Sequence, residues 1–146
     1  MDFDFITDRI ATGAALQGPQ DVQTLIAAGV THVVDARAEY NDGPLFASSG
    51  VGYLWNPTDD DGTTKLPAYF APAITFAMGA LSQPINKVYL HCAAGVNRGP
   101  SNALAVMLAQ GWDFDLAVSL MHTKRPVVNI AYRNDALAAV KALRWV

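Results

Sequence analysis

The sequence predicts an α/β fold, a mostly parallel central sheet flanked by helices, on three observations. Short β-branched or apolar runs alternate with segments whose apolar residues recur at helical spacing, the pattern of a layered α/β domain. One of those runs, Lys87-Val-Tyr-Leu-His91, stops at Cys92, passes through a loop of small residues to Arg98 and enters a helical pattern directly. Apolar residues make up 51% of the 146 and charged residues 16%, with no internal repeat, low-complexity tract or interdomain linker. One domain, residues 1–146, with a core of its own is therefore expected.

The elements follow in order. Phe3-Asp-Phe-Ile6 and Arg9-Ile-Ala-Thr12 read as two short strands about a turn at Thr7-Asp8. Gly18-Pro19 starts a helix, because proline at the first helical position forfeits no hydrogen bond. Val22, Leu25 and Ile26 form its apolar stripe and Gly29 ends it. Val30 to Asp35 is β-branched and mostly apolar, as a buried parallel strand should be. Arg37 to Gly50 is polar, with Asn41-Asp-Gly-Pro44 marking a loop, and Val51 to Trp55 reads as another strand. An acidic, glycine-containing loop, Asn56 to Thr64, precedes a helix from Pro67 to about Ser82. Phe70, Ile74, Ala77, Met78 and Leu81 should face inward, and Pro72 in the second turn is expected to kink or delay the helix. Val88 to Leu90 is the central strand. Pro100 to Gln110 forms the helix behind the loop, with Gly111 as its stop, and Asp113 caps a further helix to about Thr123. Asn129, after the connection Arg125 to Val128, is expected to cap a last helix through about Leu143.

Composition narrows the function classes. A net charge of −3 supplies no basic patch, so neither nucleic acid nor an anionic membrane is expected as a partner. No apolar run approaches the roughly 20 residues of a membrane span, and Met1-Asp-Phe-Asp does not resemble a signal peptide. The single cysteine has no partner for an internal disulfide, and a cytoplasmic location is the expectation. His32, His91 and His122 share no ligand-like spacing, so neither a metal nor another cofactor is expected.

The stretch from Lys87 to Ser101 carries the chemistry. A strand, a loop of small residues and a helix start build an anion site, with consecutive N–H groups curling around the ligand and the positive end of the helix dipole behind them. Cys92 at the loop's first position lies in that field, which favours the nucleophilic thiolate over the thiol. Arg98 adds a planar fork of donors suited to tetrahedral oxyanions. Ala93, Ala94, Gly95, Val96 and Asn97 would contribute backbone donors, their side chains mattering mainly by not obstructing. The expected chemistry is attack on an anionic phosphorus or sulfur centre. The same residue types also allow a buried structural cysteine and a surface arginine.

His-Cys, five residues, then Arg resembles the signature loop of the cysteine-dependent protein tyrosine phosphatases, and its Ala-Gly resembles the compact dual-specificity branch. Arg9-Ile-Ala-Thr-Gly13, Leu25 to Asp35, Ala68-Tyr-Phe70, Arg125-Pro126 and Asn129 are similar to that branch as well. The resemblance implies a phosphomonoester phosphatase working through a cysteinyl-phosphate intermediate, on phosphorylated protein or a small phosphomonoester. It also implies an aspartate general acid on a loop about thirty residues before the cysteine. Asp59, Asp60 and Asp61 are the candidates, and Asp60, 32 residues before Cys92, fits the spacing best. His91 either orients the loop and tunes Cys92 or is a hydrogen-bonded core histidine; both can hold. Nothing resembles the recognition loop that deepens the pocket of tyrosine-specific enzymes. One departure stands out: Gly99 replaces the usual Ser or Thr after the arginine, as Ala does in the regenerating-liver type, whose following proline Pro100 also matches. Two other readings stay open here, a rhodanese-like sulfurtransferase and a phosphate-binding module of low turnover.

Overall fold

The computed structural model describes residues 1–146. Five strands, β1 (Phe3–Phe5), β2 (Ile10–Gly13), β3 (His32–Arg37), β4 (Gly52–Thr58) and β5 (Val88–His91), form one sheet in the order β1-β2-β5-β3-β4. Only β1 runs antiparallel, against β2; the β2–β5, β5–β3 and β3–β4 pairs are parallel. The mostly parallel α/β architecture expected from alternation is therefore the one observed, and β5 is central, paired on both sides.

Six helices cover the sheet: α1 (Pro19–Ala27), α2 (Gly43–Phe46), α3 (Pro67–Leu81), α4 (Arg98–Ala109), α5 (Phe114–Lys124) and α6 (Arg133–Ala142). Strand alternation sorts β5 between two cores. Val88 and Leu90 join Val34 and the apolar faces of α3, α4 and α6 in the larger cluster. Tyr89 points the other way, into a smaller cluster with Val22, Leu25, Val33 and Phe46 beneath α1 and α2. His91 shares the Tyr89 face, its ring stacked on that of Tyr89 at 5.3 Å. Every residue of α4 is buried, so the helix that follows the signature loop is the innermost helix of the molecule.

Several local expectations change. Gly43–Phe46, inside the stretch read as loop, forms the short helix α2, because Phe46 finds a place in the smaller core. β4 runs on through Thr58 into the segment read as acidic loop, held there by pairing with β3 up to Arg37–Thr58. α4 begins at Arg98 rather than Pro100. Pro72 does not interrupt α3: Pro72 and Ala68, whose carbonyl loses its partner, both lie on the exposed side. Met78 is only partly buried, packed against the edge of the larger core. Asn129 does not cap the last helix. α6 starts four residues later with Tyr132 at its N-cap, because the Asn129 backbone is drawn toward the signature loop instead, its N–H donating to the Val96 carbonyl at 2.9 Å.

Since α4 lies wholly inside, trimming it should be expensive. Leu104→Ala, at a fully buried position, is expected to destabilise the fold by about 2–5 kcal/mol. Leu116→Ala, at a position 64% exposed on α5, should change stability by no more than about 0.5 kcal/mol. Urea unfolding followed by tryptophan fluorescence checks both; equal losses at the two sites would contradict the placement of α4.

Candidate active site

The chain leaves β5 at His91 and enters α4 at Arg98, with Cys92 and the five small residues between. Gly95 takes φ +69°, in the left-handed region, and a Cβ there would meet the Gly13 carbonyl carbon at 2.3 Å. The loop therefore presses directly on the end of β2. Its carbonyls all turn outward and find donors. Ala93 O accepts from Ala15 N–H (2.9 Å), Val96 O from Asn129 N–H (2.9 Å) and Asn97 O from Ser101 N–H (2.8 Å). Gly95 O and Ala94 O accept from Arg125, at 2.8 and 3.2 Å. The N–H groups of Ala93 to Asn97 donate to no other backbone carbonyl. Each tied carbonyl shares its peptide plane with the next residue's N–H, and the Cys92 carbonyl, 3.0 Å from His91 Nδ1, shares one with the Ala93 N–H. The amides from Ala93 onward are therefore left to converge beside Cys92, at the start of a twelve-residue helix.

Arg98 is buried and its fork is divided. Nη1 donates to Glu39 Oε1 (2.6 Å) and to the Thr58 carbonyl (3.0 Å), and Nη2 to Glu39 Oε2 (2.9 Å). Nε, fully buried, has no partner in the chain. Of five N–H donors, Nε–H and one on Nη2 remain, and these share one edge of the guanidinium, the edge that can grip two oxygens of a tetrahedral anion. Arg98 holds the Glu39 carboxyl down at about 2 and is itself raised by that pairing. Nothing in the sequence pattern pointed to Glu39, 59 residues away.

The three aspartates separate clearly. Asp60 Oδ1 accepts from Asn97 Nδ2 at 2.6 Å, which brings this carboxyl to the rim of the signature loop. Asp61 accepts from Lys65 Nζ (2.9 Å) and from the amide and hydroxyl of Thr63, and Lys65 foremost holds its carboxyl well below the usual range. Such a group has no proton to give near neutrality. All three are exposed, and the Asp59 carboxylate differs in having no hydrogen-bond partner in the chain. The loop is pinned from α6: Gly62 N–H donates to Tyr132 Oη (2.9 Å) and Lys65 N–H to Asp135 Oδ2 (3.0 Å). Asn97, whose side chain was expected mainly not to obstruct, therefore also fixes Asp60, while its own Oδ1 accepts from Ala131 N–H at 2.8 Å.

His91 lies in a fully buried group with Asp35 and Asp42. Its Nδ1 is 3.0 Å from the Cys92 carbonyl, and its Nε2 comes within 2.9 Å of Asp42 Oδ2, out of line for a hydrogen bond. The three side chains are arranged closely enough to hold a cation, which sequence spacing could not reveal. The carboxylates are, however, already engaged by Arg37, which donates to Asp35 Oδ1 (3.0 Å), Asp35 Oδ2 (3.1 Å) and Asp42 Oδ1 (2.8 Å), and this guanidinium supplies the positive charge.

Gly99 has a steric reason. A Cβ there would lie 2.9 Å from the carbonyl carbon and Cα of His91, so glycine lets the first turn of α4 rest on the end of β5. Ser101, the nearest hydroxyl in sequence, donates to Asn97 Oδ1 at 3.3 Å.

Residues 16–137 match the family model described as dual specificity phosphatase, catalytic domain. The chain belongs to the dual-specificity phosphatase family. Curated relatives agree: rat dual specificity protein phosphatase 26 is 32% identical over 120 residues, 80% of this chain and 57% of that protein. Human dual specificity protein phosphatase 13B is 34% identical over 93 residues, 61% of this chain and 47% of that protein. The chain thus spans about half the length of the curated relatives it matches. The fold of this dual-specificity phosphatase family member superimposes on a crystal structure of PTPMT1 in complex with PI(5)P with a TM-score of 0.85, at 18% identity, over 99% of this chain and 97% of that one. Human DUSP28 gives 0.80 at 20% identity, over 97% of each chain.

The Asn97–Asp60 contact has a kinetic signature. With Asp60 as the general acid that the family resemblance implies, Asn97→Ala should lower turnover of alkyl or unactivated phenyl phosphates by about tenfold while changing activated nitrophenyl phosphates by less than about threefold, because only poor leaving groups need a proton donor. A leaving-group series on the purified variant reads this directly, and a uniform drop across the series would refute the positioning of Asp60 by Asn97.

Proposed function

We propose that this chain is a phosphomonoester hydrolase, a tyrosine or dual-specificity phosphatase acting on phosphorylated protein or a small phosphomonoester. The observation that carries the reading is the loop itself: five outward carbonyls, each with a donor, and a thiol at the start of the ring of amides they leave. Cys92 is the proposed nucleophile. Its thiolate attacks phosphorus while the Nε and Nη2 edge of Arg98 and the amides of Ala93 to Asn97 take the equatorial oxygens. Asp60 gives its proton to the departing oxygen, leaving a cysteinyl phosphate. A water molecule, its proton taken by Asp60, then attacks phosphorus, releasing inorganic phosphate and the thiolate. No metal or cofactor takes part in this scheme, and a reducing, cytoplasmic setting that keeps Cys92 as a thiol belongs to the same proposal. The family match runs against the sulfurtransferase alternative.

Cys92→Ser should abolish turnover with the fold intact, and vanadate should inhibit the wild type without added metal. Residual activity above a few per cent in that variant would sink the covalent route. Asp60→Asn should slow poor leaving groups by about 10²–10⁴-fold; the same signature from Asp59→Asn alone would move the acid by one residue.

Gly99 bears on the second step. Neither residue 99 nor Ser101, whose hydroxyl is turned to Asn97, offers the departing thiolate a side-chain donor. A hydrogen bond to a charged group is worth about 1.5–3 kcal/mol, roughly 10–150-fold in rate. Hydrolysis of the phosphoenzyme should then limit turnover, giving a burst of about one product per enzyme in rapid mixing with an aryl phosphate. A linear trace from an enzyme of known active-site concentration would remove this expectation. Gly99→Ser is a poor rescue, because its Cβ would push against the His91 backbone.

A further inference from the structure

Three of the five outward carbonyls of the signature loop are held by backbone N–H groups. The two at its centre, Ala94 O and Gly95 O, are held by a side chain, that of Arg125 at the end of α5. Arg125 is only 1% exposed and uses every donor it has. Nε meets Gly95 O; Nη2 meets Ala94 O and Asp2 Oδ2 (3.0 Å); Nη1 meets Asp2 Oδ1 and Asp4 Oδ2, both at 2.9 Å. The guanidinium is thus a bridge with loop carbonyls on one side and two carboxylates on the other.

We propose that Asp2 and Asp4 are positioning residues for the oxyanion loop, acting through Arg125 from the segment that forms β1. The inference rests on the phosphatase reading above and names a part of the machinery which lies more than 120 residues from Arg125 in sequence. An arginine buried to this degree needs its charge balanced. Neutral carbonyls attract it but do not balance it; the two carboxylates do. Arg125 in turn holds the Asp2 carboxyl below its ordinary value. Without the pair, the guanidinium is drawn toward water, the Ala94 and Gly95 carbonyls lose their donors, and the peptide planes at the loop's centre are free to rotate. Rotating those planes turns away the amides of Gly95 and Val96, two of those proposed to bind phosphate. Backbone contact adds a second link. Asp2 O accepts from Ala14 N–H, a Cβ on Gly13 would meet Asp2 O at 2.4 Å, and Gly95 sits directly on Gly13, so the segment, β2 and the loop are stacked without intervening side chains.

The two carboxylates are 67% and 42% exposed, so they can be replaced without opening a core. The test compares wild type, Asp2→Asn/Asp4→Asn and Arg125→Lys. Lysine keeps the charge and loses the planar fork that spans two carbonyls. KM and inhibition by vanadate are measured with an activated aryl phosphate, and binding of inorganic phosphate by calorimetry. Both variants should bind vanadate and phosphate about tenfold more weakly, the effect of losing one ordinary hydrogen bond to the anion. KM should rise by a similar factor, with kcat reduced less. A merely structural role for the acidic pair would lower the melting temperature and leave KM and oxyanion affinity unchanged well below it, and that result would overturn the proposal. If Asp2→Asn/Asp4→Asn does not fold, Arg125→Lys decides alone: unaltered phosphate affinity rejects the bridge and tenfold weaker affinity supports it. Calorimetry needs no turnover, so the outcome is independent of catalysis. Activity persisting in Cys92→Ser would remove the phosphatase mechanism while leaving the loop measurement standing.

Discussion

A peptide unit cannot point its N–H and its C=O the same way. To aim consecutive amides at one anion, the chain must send the matching carbonyls outward and satisfy each of them, because a buried carbonyl without a donor is costly. The structure meets this demand residue by residue. The donors come from Ala15 just past β2, from Arg125 at the end of α5, from Asn129 in the connection before α6 and from Ser101 in the first turn of α4. The signature loop is therefore where the sheet and the helical layer converge, and the close contact between Gly95 and Gly13 is what lets them meet.

Charge is handled in the same manner. Three arginines, Arg37, Arg98 and Arg125, are buried around the loop, and each is matched by carboxylates: Arg37 by its sequence neighbours Asp35 and Asp42, Arg98 by the distant Glu39, and Arg125 by the distant Asp2 and Asp4. This reconciles an overall negative charge with a site built for anions. Positive groups are concentrated at one end of β5, and the acidic groups that balance them face outward or lie behind. Of the three, Arg98 alone has a fully buried donor without a partner, its Nε, and that donor shares an edge of the fork with the unused N–H of Nη2. Arg37 closes the base of the bend that carries Glu39 by joining Asp35 to Asp42, so one buried ion pair supports the loop holding another.

The small residues of the loop also limit its selectivity. No side chain from Ala93 to Val96 carries charge, so under the proposed phosphatase reading selection among phosphomonoesters falls to the groups around the loop. Asp60 and Glu39 are the exposed groups held against the loop, each by a buried partner, Asn97 and Arg98, and Tyr132 holds the Asp60 segment from beneath through the Gly62 N–H.

What the sequence determined by itself was everything encoded in neighbours. Apolar alternation and helical spacing placed five strands and five of the six helices, and proline at a helix start located α1 and α3. The cysteine, the small residues and the arginine marked the anion loop, because a strand, a tight loop and a helix are contiguous by construction. Tertiary structure decided whatever depends on pairing across distance. From its neighbours Asn129 looks like a cap, yet its N–H donates to the Val96 carbonyl, a partner no local pattern reveals. Asp59, Asp60 and Asp61 are nearly equivalent along the chain; they differ only because Asn97 approaches one and Lys65 another. Glu39, Asp42 and Asp2 carried no signal at all, since an exposed-looking carboxylate in a polar stretch is identical in sequence whether or not a buried arginine lies against it. Local order is fixed by backbone geometry repeated every few residues, whereas a site needs groups from distant segments, and only packing of the core brings those together.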